Sequence, residues 1–190
     1  MKWDLTAIGQ ICDGTVSGEA VIESVSIDSR TVALGGLFVA VHGEMHDGHD
    51  FIEEAQHQGA GAVIAEVGRL GAGPGVEVGD TLEALRLLAV AHRQKIACPV
   101  IAVTGSSGKT TTKDLIAAVL GLGTHASPRS FNNEFGVPLT ILGVPDDATT
   151  VVVEVGSRGR GHIAHLAETL LLKLRITHCK DLIDDEDLRL

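Results

Sequence analysis

The chain has 190 residues, and its 25 Asp and Glu outnumber 15 Lys and Arg to give a formal net charge of −10. That acidity counts against binding a nucleic-acid backbone, which needs a cationic face, and 3% aromatic residues with no Tyr leave little for a base-stacking platform. With 44% apolar and 21% charged residues, the balance is that of one or two folded domains handling small molecules, not of a disordered chain.

In chain order, Asp4 is placed to cap a short helix carrying Leu5, Ile8 and Ile11, with Gly14 as its stop signal. VIESVSI, residues 21–27, alternates like a strand and runs into the polar turn Asp28, Ser29, Arg30. GLFVAV (36–41) reads as a strand, HDFIEEAQHQ (49–58) as a helix stopped by Gly59, and AVIAEV (62–67) as another strand. Residues 68–79, with five glycines and Pro74, are the best loop and boundary candidate. A helix over 80–95, with Leu82, Leu85, Leu88, Ala89 and His92 along one side, is expected to lead into a second domain.

From Pro99 the pattern is strand PVIAVT, a Gly-containing turn, helix TTKDLIAAVL, an extended piece near 124–127, helix VPLTILG, strand TTVVVEV and helix GHIAHLAE. Apolar strands interleaved with helices predict an α/β fold with a doubly wound parallel sheet. Cys12, Cys98 and Cys179 have no metal-type spacing and are read as inert packing in a reducing compartment. MKWDLTAIGQ lacks the pattern of a signal peptide, and no run approaches the ~20 apolar residues of a membrane span, so a cytoplasmic location is expected.

Thr104-Gly105-Ser106-Ser107-Gly108-Lys109-Thr110-Thr111 lies between a predicted strand and a predicted helix. In that setting glycines let backbone N–H groups turn around phosphate oxygens, the helix start adds its positive dipole end, Lys109 reaches the outer phosphates, and the Thr110 hydroxyl can hold Mg²⁺. The loop is the shorter G-x-x-G-K-T-T form, with Val103 where the general pattern has glycine. A magnesium-nucleotide site also needs a carboxylate, and Glu154 stands at the carboxyl end of TTVVVEV, where ligands of open α/β sheets gather. In SFNNEFGVP, Asn132 and Asn133 either contact nucleotide or substrate, or satisfy the turn and cap the helix. His42, His46 and His49 fit no metal-ligand spacing and are read as loop or surface histidines, as are His162 and His165; Arg158 is a candidate to face the site.

VTGSSGKTTTKDL, SFNNEFGVPLT and VVEVGSRGRGHIAHL resemble three successive motifs of the ATPase domain of Mur ligases. SIDSR and GLFVAVHGEMHDGHDFIEEAQHQGAGAVIAE resemble the family's UDP-sugar-binding N-terminal domain, and SFNNEFGVP is similar to the branch that adds D-alanyl-D-alanine to UDP-N-acetylmuramoyl-tripeptide. The resemblance implies a domain over 1–79, an ATP-binding domain over 80–168 and an atypical tail over 169–190. It implies an ATP- and Mg²⁺-dependent ligase of peptidoglycan synthesis, acting through an acyl phosphate, monomeric, with Lys109 and Glu154 catalytic. ATP would sit on Gly105, Ser106, Ser107, Gly108, Lys109, Thr110, Thr111, Asn132 and Asn133, Mg²⁺ on Thr110 and Glu154, and UDP on Ser29 and Arg30.

The resemblance ends near Glu168, where the family continues with further strands and a dipeptide-holding domain. No glycine follows Gly161, and the tail reads as replaced, as by a frameshift. The chain alone is therefore expected to be inactive or nearly so. The competing readings are a stand-alone ATP or UDP-sugar binding module, or part of a sister ligase that adds a single amino acid.

Overall fold

The structure, a computed structural model, describes residues 2–43, 45–156 and 162–170, without the side chains of His162, Ala164, His165 and Glu168. Arg158, Cys179 and nearly all of the 169–190 tail lie outside the described residues. The chain divides into two compact units, Met1–His92 and Arg93–Leu190.

In the first unit, β1 (Trp3–Asp4) leads into α1 (Leu5–Cys12), where the Asp4 carboxylate accepts from the Ala7 N–H at 2.7 Å as expected of an N-cap. β2 (Thr15–Ser17) follows, and the single strand expected over 21–27 is two, β3 (Val21–Ile22) and β4 (Val25–Ser26). They part because β3 pairs with β1 in a two-stranded sheet while β4 joins β5 (Leu37–Val39) in the main one. A 3₁₀ turn (Gly48–Phe51) precedes α2 (Ile52–His57), and β6 (Ala62–Glu66) and β7 (Gly75–Val78) complete a five-stranded sheet of order β2-β7-β6-β5-β4, parallel except for β2 at its edge. The expected loop over 68–79 thus contains a strand. Pro74 and Gly75 hide it, yet Gly75 is required, because a Cβ there would meet the Val63 carbonyl and Leu70.

Phe38, Ala40, Val63 and Ala65 pack with Ile52, Ala55 and Leu70 in one core cluster. Their alternating neighbours Leu37, Val39 and Ile64 are fully buried as well, so both faces of the sheet are covered, as parallel sheets require.

The helix α3 (Thr81–Arg93) corrects the expected boundary at 79/80, because the first unit continues through His92. Its capping residue is Asp80, which accepts from the Leu82 and Glu83 N–H groups. Its buried stripe of Ala84, Leu85, Leu88, Ala89 and His92 ties it to that unit: Thr81 donates to the Ala40 carbonyl, Cys12 to the Ala84 carbonyl, and Trp3 meets His92 edge-on at 6.0 Å.

The second unit runs β8 (Val100–Val103), α4 (Lys109–Leu120), β9 (Thr124–Ala126), α5 (Gly136–Leu142), β10 (Thr150–Glu154) and α6 (His162–Thr169). Its described strands form a parallel sheet of order β8-β10-β9. Travelling from β8 to β9 and back to β10 reverses direction across the sheet, so right-handed crossovers place α4 and α5 on opposite faces. β10 is the centre, with Val151, Val152 and Val153 wholly buried, whereas β8 is only half-buried because it is the edge of these three strands. The register sets Glu154 opposite Val103, the last residue of β8. A carboxylate from one strand and the loop leaving its neighbour are thereby delivered to the same end of the sheet. Among the described residues no helix is long and apolar enough to cross a membrane.

Candidate functional site

The loop from β8 to α4 turns on two glycines with positive φ, Gly105 at 149° and Gly108 at 73°. Gly108 caps α4 in the left-handed region, and a Cβ there would meet no atom within 4 Å. Glycine is wanted at 108 for its backbone conformation rather than for space. The amides of the first turn of α4 carry the positive end of the helix toward an open groove of about 330 Å³, lined by Gly108, Lys109, Thr110, Thr111, Ser130, Asn132 and Glu154. The Lys109 ammonium donates to the Gly105 carbonyl at 2.8 Å, across the loop that it follows.

Glu154 is 1% exposed. One carboxylate oxygen accepts from the Thr110 hydroxyl at 2.9 Å and the other from the Asn132 amide at 2.8 Å. Its backbone N–H donates to the Ser127 hydroxyl. The two oxygens expected to hold magnesium are therefore neighbours, although 44 positions separate them in sequence. A hydroxyl and a carboxylate beside this groove form the hard, oxygen-only donor set that suits Mg²⁺, an ion that keeps several waters and takes few protein ligands.

The two asparagines part company. Asn132 enters the groove, with its carbonyl accepting from the Gly156 N–H at 2.7 Å, while the Asn133 side chain accepts from the Gly136 N–H at the start of α5. Asn133 thus takes the turn and helix-start role that its sequence allows, while Asn132 is the asparagine that lines the groove. Ser106 and Ser107 are exposed in the loop.

Lys113 and Ser130 were not singled out from the sequence. Lys113 lies one helical turn beyond Lys109 and so on the same face, which was the available signal. It is buried, with its ammonium on the Ser127 and Arg129 carbonyls.

In the first unit, Arg30 is exposed and makes a bidentate pair with Asp28 at 2.8 and 2.7 Å. The Arg30 hydrogen bond holds the Asp28 carboxyl below its ordinary range. Ser29 is buried and donates to the Glu54 carboxylate at 2.6 Å.

The histidines separate too. His49 is buried; its Nε2 accepts from the Glu66 N–H at 3.0 Å, so its Nδ1 carries the proton donated to Asp47 at 2.6 Å. Arg69 grips the other Asp47 oxygen at 2.6 Å. Burial pushes the Asp47 carboxyl up, but the bonds from Arg69 and His49 outweigh it and hold it well below the usual range. His42 stands 3.7 Å from Asp47, and His46 packs edge-on against Phe51. His49 is thus a strut of the first unit.

Residues 21–93 match the catalytic domain of the Mur ligase family, and residues 103–177 match the Mur ligase middle domain. The chain belongs to the Mur ligase family. Among the Mur ligases it is 44% identical over 158 residues to the UDP-N-acetylmuramoyl-tripeptide--D-alanyl-D-alanine ligase of Synechocystis, an alignment taking in 80% of this chain and 35% of that protein. The crystal structure of MurF from Acinetobacter baumannii superposes with a TM-score of 0.82 at 30% identity, covering 90% of this chain and 39% of that one. MurF from Thermotoga maritima, solved in complex with ADP, gives 0.68 at 36% identity over 77% of this chain and 35% of that one. The chain thus spans well under half the length of the Mur ligases it matches.

Proposed function

We propose that this chain supplies the UDP-sugar-binding and ATP-binding portions of a ligase that joins D-alanyl-D-alanine to UDP-N-acetylmuramoyl-tripeptide. The observation that carries the reading is the Thr110–Glu154–Asn132 constellation at the mouth of a G-x-x-G-K-T-T loop, in a chain 44% identical to a ligase so named. In this reading the first unit takes the UDP end through Ser29 and Arg30. The exposed Arg30–Asp28 pair opposes this little, since solvent screens such a surface pair. The second unit takes ATP through Gly105, Ser106, Ser107, Gly108, Lys109, Thr110, Thr111 and Asn132.

The terminal carboxylate of the tripeptide takes the γ-phosphoryl group, ADP leaves, and the D-alanyl-D-alanine amine displaces phosphate from the acyl phosphate to leave an amide. Negative charge spreads over the transferred group, and Lys109 with the amides of α4 is placed to neutralise it. Magnesium, held by Thr110 and Glu154, would add its positive charge at the outer phosphates. With a net charge of −10, binding of two anionic substrates rests on these local groups, not on the overall field.

Calorimetric titration with a non-hydrolysable ATP analogue and, separately, with UDP-N-acetylmuramoyl-tripeptide tests the reading. Both ligands are expected to bind, with Arg30→Ala weakening only the second and Lys109→Ala only the first. A chain that binds neither refutes it.

A further inference from the structure

Lys113 is a buried cation that the proposed chemistry does not use. Its side chain is 3% exposed, and its ammonium is 2.7 Å from the Ser127 carbonyl, 2.9 Å from the Arg129 carbonyl and 3.0 Å from the Asp114 carboxylate. An ammonium has three N–H donors, and three acceptors surround this one. Such a group is costly to bury unless it is so satisfied, which makes the arrangement demanding of its partners' positions.

Two of those partners, the Ser127 and Arg129 carbonyls, are the backbone of the segment that builds one wall of the groove. Ser127 is locked from three further sides: its N–H donates to the Val152 carbonyl, and its hydroxyl accepts from the Glu154 N–H and the Thr140 hydroxyl. Arg129, next but one, holds a left-handed backbone with φ of 50°, a conformation that costs a non-glycine residue about 1–3 kcal/mol and persists where its surroundings over-determine it. The Lys113 ammonium grips the carbonyls on both sides of Pro128, and the turn so held presents Ser130 and Asn132 to the groove. Asn132 in turn donates to Glu154.

We propose that Lys113 is a positioning residue for the magnesium end of the nucleotide site, acting through the 127–132 segment on Asn132 and Glu154 without touching nucleotide. The inference rests on the nucleotide reading above. It separates Lys109 from Lys113: one faces phosphate, and the other, a turn further along the same face of α4, sets the wall that aims the metal-holding carboxylate. Loss of an outer partner of this kind typically lowers metal affinity by about 10–100-fold.

The test measures ADP affinity of the full chain by calorimetry in Mg²⁺ and in EDTA, whose ratio is the magnesium enhancement, alongside thermal unfolding. In Lys113→Met the enhancement is expected to fall by roughly tenfold or more while metal-free ADP affinity is retained, and Lys113→Arg, which can still donate to both carbonyls, is expected to recover part of it. Equal losses with and without Mg²⁺, or no loss, overturn the inference. If Lys113→Met shows no cooperative unfolding, Lys113→Gln carries the same comparison with the same outcomes. A parent chain without magnesium-dependent ADP binding overturns the nucleotide reading and this inference together; an intact parent with an unaffected variant overturns this inference alone.

Discussion

Glu154→Gln separates the two roles open to a buried carboxylate, holding the fold and holding a metal. Glu154 is 1% exposed and accepts from Thr110 at 2.9 Å and Asn132 at 2.8 Å. A glutamine of the same shape keeps both bonds if its oxygen faces the Asn132 amide and its NH₂ donates to the Thr110 hydroxyl. What is lost in the fold is charge assistance, on the order of 1 kcal/mol, and burial of an uncompensated charge is relieved at the same time. The nucleotide-free melting temperature should therefore shift by only a few degrees.

The metal sees a much larger change, because an N–H now points where the anionic oxygen was. Two unit charges 4 Å apart interact by about 4 kcal/mol at an effective dielectric constant near 20. Allowing for water in the vacated position, a loss of roughly 3 kcal/mol, about a hundredfold, is expected in the magnesium enhancement of ADP binding. Calorimetry in Mg²⁺ and in EDTA reads it directly. A variant that keeps the full enhancement refutes the reasoning and leaves Glu154 as a structural acceptor.

Asp47→Ala removes the acceptor of the buried His49 Nδ1–H and of Arg69, and is expected to destabilise the first unit by about 1–3 kcal/mol in urea; an unchanged midpoint contradicts the strut role. Burial lowers the His125 pKa from its ordinary value, so the unfolded chain binds more protons. The stability that neutral His125 contributes is then present above about pH 6.5 and is lost as pH falls through and below that value. The melting temperature of the second unit should drop on acidification, and less so in His125→Gln; an identical pH profile in the variant contradicts this. Burial first, and the nearby Glu83 charge second, push the Cys12 thiol up to about 12, so iodoacetamide at pH ~8 should leave it unmodified until the protein is unfolded, and labelling in the native state would refute that.

The parts of the site that the sequence made legible are those whose chemistry is local. The G-x-x-G-K-T-T loop carries its own strand, turn and helix signals, and Glu154 announces itself as the acid ending an apolar strand. Whether Asn132 or Asn133 enters the groove was not legible, because either amide can cap a helix; only the fold separates them, with Asn132 donating to Glu154 and Asn133 accepting from Gly136. Lys113 went unseen because its acceptors are main-chain carbonyls 14 and 16 residues away, which no side-chain pattern encodes. In the fold, β7 was masked by Pro74 and Gly75, residues usually read as loop but here needed for close packing against Leu70. The boundary moved to His92 because the apolar stripe on α3, placed as expected at Leu85, Leu88, Ala89 and His92 but running through Ala84 in place of Leu82, does not say which core it covers.

The central claim, that the groove at the head of α4 is a magnesium-nucleotide site, is tested most directly by titrating the chain with ADP in the presence of Mg²⁺ and repeating the titration with Lys109→Ala. The account predicts one-to-one binding by the parent chain, strengthened by Mg²⁺ and strongly weakened in the variant. Equal ADP affinity in the two proteins would contradict it.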